Sequence, residues 1–199
     1  MVCYSFKGGI GTSSRKTPTN AGGYTVGVLV QANFGRRPEL TISGVPVGRE
    51  ISDLMPETHR ESGPAADINL DHEGSVIVVM ATDAPLSSRQ LERLVSRAAL
   101  GLARTGSTSG NTSGDIFIAF STANTVPQSS TSPTVSATFI SPESTAALNP
   151  LFQAAVEATE ESVINALTKA ETMTGINDNR VHALPYDRLS AIMAKYGRK

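Results

Sequence analysis

An abrupt change at Gly74-Ser75 limits what this chain can become. A polar approach ends there and Val76-Ile77-Val78-Val79-Met80 begins, a run of consecutive apolar, mostly β-branched residues. Such a run suits a strand buried on both faces, and Pro85 follows soon after to stop it. A hydroxyl at the first residue of a buried strand sits at the rim of the sheet, which makes Ser75 the candidate chemical centre. A Gly-Ser turn entering a core strand accounts for the same residues, and both readings stay open on this stretch alone.

The chain has 199 residues, 39% of them hydrophobic, enough for one packed core and a single domain over 1–199. Charged residues of both signs are interspersed and sum to −1. No basic face therefore proposes nucleic acid as a partner, and no polybasic run proposes an anionic membrane. Cys3 is the single cysteine, so an internal disulfide is excluded, no thiol cluster offers a metal site, and a reducing, cytoplasmic setting is expected. Neither a metal nor a cofactor is expected. No apolar run approaches the roughly 20 residues of a membrane helix, and residues 1–6 lack the basic start and long apolar core of a signal peptide.

Val2 to Phe6 reads as a short strand running into a glycine-rich turn, Lys7 to Arg15. A phosphate loop would need a lysine where Thr12 stands and a helix directly behind it, so the turn is assigned to a pocket wall. Tyr24 to Ala32 is a strand, with Gly27 marking a bulge or a close approach, and Asn33-Phe34-Gly35 closes it. An amide in such a place is also an uncharged donor suited to an oxyanion. Leu40 to Ile42 allows a short strand, Ser43 to Glu50 reads as turn and edge, and Met55 to Glu73, which holds His59 and His72, reads as an exposed connection leading to Gly74-Ser75.

Downstream, Ser87-Ser88 caps a helix whose Leu91, Leu94, Val95, Ala98 and Leu102 form one stripe. Asp115 to Thr122 is a strand led by a carboxylate, with Ser113 just before it. Asn124 to Asn149, rich in Ser, Thr and Pro, reads as an irregular excursion holding at most one strand, Val135 to Ile140. Asn149-Pro150 predicts the start of a long helix ending at Gly175, and a last helix covers about 186–196. Strands and helices in this order imply an α+β fold with helices covering mixed sheets.

Several blocks in sequence order carry more than any one of them. Phe6 to Arg15, Leu29 to Gly35, Gly74 to Val79, Ala81 to Leu86, Arg97 to Ser107, Gly114 to Thr122 and Arg180 to Pro185 together resemble the self-processing L-aminopeptidase/D-esterase family, which includes the β-aminopeptidases. The resemblance spans essentially the whole chain. It implies an αββα sandwich like that of N-terminal nucleophile hydrolases with different connectivity, incomplete here at the N-terminus, since family chains carry a long preceding segment with an active-site tyrosine.

It also implies cleavage of the Gly74-Ser75 bond, leaving 1–74 as the end of an α piece and 75–199 as a β piece. Ser75 then becomes the nucleophile, with its own freed α-amine as base. An α-amine with a pKa near 7.7–8.0 can accept a proton at neutral pH, so no histidine is required. By the same resemblance Ser113 and Asp115 orient the nucleophile or move protons, and Asn33 holds the oxyanion. The better-known members have glutamate where Asp115 stands, one methylene longer. The implied partners are small peptides, amides or esters, and the implied assembly is a homo-oligomer.

Three functions compete: an aminopeptidase or amidohydrolase acting through an acyl-enzyme on Ser75, an inactive fragment or structural subunit of such an enzyme, and a self-processing acyltransferase. Preference for L-, D- or β-residues is not legible in the sequence.

Overall fold

The computed structural model describes residues 1–59, 74–129 and 131–198. Most of the connection before Gly74, including His72, lies outside them. The centre is a four-stranded sheet in the order β3 (Ile10–Lys16), β4 (Thr25–Asn33), β5 (Ser75–Thr82), β6 (Ile116–Ser121). The first three strands are antiparallel and β6 runs parallel to β5. A parallel neighbour needs a crossover, and helices α2 (Ser88–Val95) and α3 (Ala98–Arg104) supply it. The single helix expected there breaks at Ser96-Arg97, yet its buried stripe of Leu94, Ala98 and Leu102 survives the break.

Helix α4 (Thr145–Thr168) lies across β3 and β4. It starts a turn earlier than Asn149-Pro150 predicts and carries Pro150 inside, because burial of Leu148 holds the extra turn in place. It also ends before Gly175. The chain instead forms the small β7 (Met173–Thr174) and β8 (Arg180–Val181) hairpin, and α5 (Tyr186–Lys195) closes it.

The glycine-rich turn expected over residues 7–15 is mostly strand β3. Its Gly11 faces α4, where a Cβ would stand 1.8 Å from the Ser162 carbonyl oxygen and 2.5 Å from the Ala166 nitrogen. Glycine there permits helix-to-sheet contact rather than a turn. Gly27, by contrast, keeps the β4–β5 register unbroken, and a Cβ would meet nothing nearer than 3.9 Å, so neither a bulge nor a close approach explains it. Residues 135–140 form no strand, Ile42 and Val45 make only an isolated bridge, and residues 47–50 are a short helix, α1 (Val47–Glu50).

Strand β5 is buried on one face only among the described residues. Val76, Val78 and Met80 are covered by the helical layer, while Ile77 and Val79 alternate to the other side. The register places Ile116, Ile118 and Phe120 beside Ile77, Val79 and Ala81, and these three remain 53%, 51% and 47% exposed. Alternation carries Ser75 and its cross-strand partner Asn33 to this same uncovered face.

At the sheet's end, β1 (Val2–Cys3) and β2 (Phe6–Lys7) form a hairpin whose turn residues Tyr4 and Ser5 have φ of 50° and 59°. Positive φ at both central positions matches the strand twist but costs a non-glycine residue about 1–2 kcal/mol. The buried guanidinium of Arg37 holds this turn. Its Nε donates to the Tyr4 carbonyl and its Nη2 to the Ser5 carbonyl, while the other N–H groups reach the carbonyls of Ile51, Asp53 and Leu54. All five donors are used, and the group lies 3.3 Å over the Phe6 ring. Burial lowers its pKa to about 10, which still leaves it cationic at neutral pH.

A lysine has only three donors on a single nitrogen and cannot span these carbonyls. Arg37→Lys is expected to lower stability by about 2–4 kcal/mol, read as a reduced urea midpoint. An unchanged midpoint would show that the five bonds contribute nothing net.

Candidate active site

Ser75 opens β5 opposite Asn33, the last residue of β4. Its hydroxyl oxygen accepts the Gly114 backbone N–H at 2.9 Å, which leaves the hydroxyl proton free to be given up. Gly74, immediately before it, packs so closely on β4 that a Cβ would stand 1.7 Å from the Asn33 carbonyl oxygen and 2.9 Å from Asn33 Nδ2. Only glycine allows the chain to enter β5 along this path.

The approach to β6 delivers the other groups. A turn closed by Ser113 N–H on the Gly110 carbonyl aims Ser113 back at β5. Its Oγ lies 3.0 Å from the Gly74 carbonyl oxygen and 2.6 Å from Asp115 Oδ1, and its one proton serves either acceptor in turn. Asp115 Oδ1 also accepts the Val76 N–H at 3.1 Å. Asp115 thus grips both sides of the junction: the first residue after Ser75, and the hydroxyl facing the carbonyl before it. Aspartate is long enough for that task.

The sequence therefore named Ser75, Ser113, Asp115, Asn33 and Gly74, and the fold brings them into one constellation. It missed two backbone donors, Gly114 N–H on the Ser75 hydroxyl and Val2 N–H on Asn33 Oδ1. Backbone groups leave no mark in residue type, and even Gly114 is no signal, since a Cβ there would stand 3.4 Å from Ser75 Oγ, an ordinary contact. Cys3 offers no rival nucleophile. It is fully buried, and burial pushes its thiol up to about 12. His182 pairs with Glu57 at 2.7 Å, away from these contacts. No group of three or more metal-ligating side chains occurs among the described residues.

A hydroxyl beside a carbonyl carbon, a second hydroxyl on that carbonyl's oxygen, a carboxylate behind it and an amide alongside form the parts list of acyl transfer. The chain matches the Peptidase family S58 model over residues 1–181. The chain belongs to that family.

Its curated relatives include the beta-peptidyl aminopeptidases BapA of Sphingosinicella microcystinivorans, 48% identical over 203 residues, and Sphingosinicella xenopeptidilytica, 46% identical over 202. In each case all of this chain aligns with 50% of the relative. Among solved structures it matches the L-aminopeptidase D-Ala-esterase/amidase of Ochrobactrum anthropi, described as a prototype for the serine aminopeptidases and a new variant among the Ntn hydrolase fold. The TM-score is 0.82 at 41% identity, covering 100% of this chain and 51% of that one. A Burkholderia sp. beta-aminopeptidase matches at TM-score 0.81 and 38% identity, covering 100% and 52%. The chain shares their α+β fold, and it spans about half the length of the relatives it matches. No helix among the described residues is long and apolar enough to cross a membrane.

Gly74→Ala is expected to force the junction off Asn33 and separate Ser113 from the Gly74 carbonyl. The urea midpoint should fall by the equivalent of about 2 kcal/mol or more, and amide exchange at Ser75 and Val76 should quicken. An alanine variant with unchanged stability and exchange would show that the tight approach is not required.

Proposed function

We propose that this chain carries the nucleophile of a serine aminopeptidase that first cuts itself at Gly74-Ser75. The observation that carries the reading is the position of Ser113 Oγ, 3.0 Å from the Gly74 carbonyl oxygen, with the Ser75 hydroxyl beside it on Gly114 N–H.

In the self-cleavage, Ser75 Oγ adds to the Gly74 carbonyl carbon and its proton passes to the Ser75 nitrogen as the carbon–nitrogen bond breaks. The resulting ester is hydrolysed by water, leaving a Gly74 carboxylate and a Ser75 with a free α-amine. Negative charge gathers on the Gly74 oxygen on the way, and we assign Ser113, whose Oγ lies 3.0 Å from it, and Asn33 as the donors that meet it. Asp115 holds Ser113 in position and, by accepting the Val76 N–H, fixes the strand just beyond the bond that breaks.

In the released β piece, 75–199, the α-amine takes the hydroxyl proton. Ser75 Oγ attacks the substrate carbonyl, the leaving amine or alcohol departs protonated, and water then releases the acyl group with Ser75 restored. The substrates are small peptides, amides or esters with a free N-terminal amine. The relatives' names support the class: beta-peptidyl aminopeptidase in two, L-aminopeptidase D-Ala-esterase/amidase in a third.

The uncovered sheet face sets a condition on this activity. Ser75 and Asn33 share it with half-exposed Ile116, Ile118 and Phe120, and an apolar face of this kind is unstable against water. The working enzyme closes it with the second sheet that the sandwich requires, in a homo-oligomeric and cytoplasmic assembly. A structural subunit that uses the face for association alone is the competing reading favoured by the same exposure.

Intact-mass measurement separates the two. Pieces ending at Gly74 and beginning at Ser75 are expected from the wild-type chain in its complete assembly, Ser75→Ala should remain one chain, and the processed form should hydrolyse aminoacyl esters but not their N-acetylated forms. Cleavage persisting in Ser75→Ala removes Ser75 from the mechanism, and an intact wild-type assembly favours the structural subunit.

A further inference from the structure

An asparagine amide that serves an oxyanion must present Nδ2 to it, because Oδ1 in the same place would repel the developing charge. The two ends are nearly alike in shape, so something has to choose between them. Here the choice falls to a neighbouring backbone group. Val2 N–H points away from the β1–β2 hairpin and lies 2.9 Å from Asn33 Oδ1. A backbone N–H can only donate, so it accepts the oxygen end of the side chain and rejects the nitrogen end. With Oδ1 held there, Nδ2 is left on the side of Gly74, where it lies 2.9 Å from the point a Cβ would occupy.

We propose that the N-terminal hairpin is a positioning element of the site, its Val2 backbone N–H fixing the amide orientation with which Asn33 meets the reacting carbonyl. This rests on the reading of Ser75 and Asn33 given above and assigns the hairpin a role within it.

The placement of Val2 is itself tightly determined. Tyr4 N–H donates to the Phe34 carbonyl, one residue beyond Asn33, and Gly8 N–H donates to the Met1 carbonyl, so the hairpin is tied down on both sides of Val2. The Tyr4 hydroxyl and Thr105 Oγ1 share a buried hydrogen bond of 2.8 Å, and Arg37 takes the carbonyls of the strained turn. A turn with two non-glycine residues at positive φ is retained where the surrounding structure over-determines it. Here the retained feature directs a single donor at the amide of Asn33.

The test removes the donor and keeps the residue. Val2→Pro lacks the N–H, Val2→Ala reports lost side-chain packing, and an α-hydroxy acid at position 2, introduced by semisynthesis, deletes the N–H without proline's constraint on φ. In the processed enzyme Val2→Pro and the hydroxy-acid form should lower kcat about tenfold relative to Val2→Ala with KM little changed, short of the 10²–10³-fold or so expected for Asn33→Ala. On the Asn33→Ala background the same changes should cost nothing further, since the amide they orient is gone. Equal kcat in the proline, hydroxy-acid and alanine forms, or a loss that simply adds to that of Asn33→Ala, overturns the proposal.

An exchange measurement does not depend on turnover. By nitrogen-15 NMR the Val2 amide should be protected in Ser75→Ala and lose that protection in Asn33→Ala. Unchanged protection overturns the proposal. A catalytically inert wild type with the expected exchange pattern overturns the nucleophile reading and leaves the orientation of the amide standing.

Discussion

The pairing of Asn33 with Ser75 across two antiparallel strands is the contact on which the site depends. Side chains alternate with a period of two, so a slip of β5 by one residue would turn the Ser75 hydroxyl into the helical layer, away from the Asn33 amide, and bring Val76 out in its place. The register is set by what lies behind it. Val76, Val78 and Met80 face Ala32, Val30 and Val28 in the buried layer, and a one-residue slip would carry three of the six out of it. Hydrophobic burial on one face of the sheet thereby places polar chemistry on the other. Gly74 completes the arrangement by letting the chain enter β5 hard against the Asn33 carbonyl.

What the sequence made legible followed from side-chain type. The run from Val76 to Met80 announced a strand, and Asp115 stood out as a carboxylate leading a second apolar run, while Ser113 was marked only by the family resemblance. β3 was less legible. Its Gly11, Thr12, Ser13 and Ser14 look like a turn, and they make a strand because α4 crosses directly over Gly11, Ser13 Oγ donates to the Ala158 carbonyl of α4 and Asn165 Nδ2 of α4 donates to the Thr12 carbonyl. Propensity was overridden by tertiary packing. The start of α4 was misplaced for a related reason: Asn149-Pro150 is a good local signal, and burial of Leu148 a turn earlier outweighs it. The roles of Arg37, of Gly114 N–H and of Val2 N–H consist of bonds between backbone groups and side chains from distant parts of the chain, and no local pattern encodes them.

The open face of the sheet and the strain in the hairpin belong to the same account. A four-stranded sheet covered on one side is half of a layered core, and the catalytic candidates lie on the uncovered half. Their own contacts are local and already made: Ser113 with Gly74, Asp115 with Val76, Asn33 with Val2. The described residues thus bring these candidate groups together, and Ile116, Ile118 and Phe120 beside them stay about half exposed. A cavity of about 770 Å³ lies away from Ser75, lined by Gly35, Glu39, Arg37 and Met55.

The central claim is that Ser75 acts as a nucleophile bearing a free α-amine, and covalent trapping tests it most directly. The processed protein would be reacted with phenylmethanesulfonyl fluoride and the adduct mapped by peptide mass spectrometry. The account predicts one sulfonyl group on the Ser75 side chain of a peptide that begins at Ser75, with no labelling of uncleaved chain. An adduct on Ser113, or on Ser75 still joined to Gly74, would contradict it.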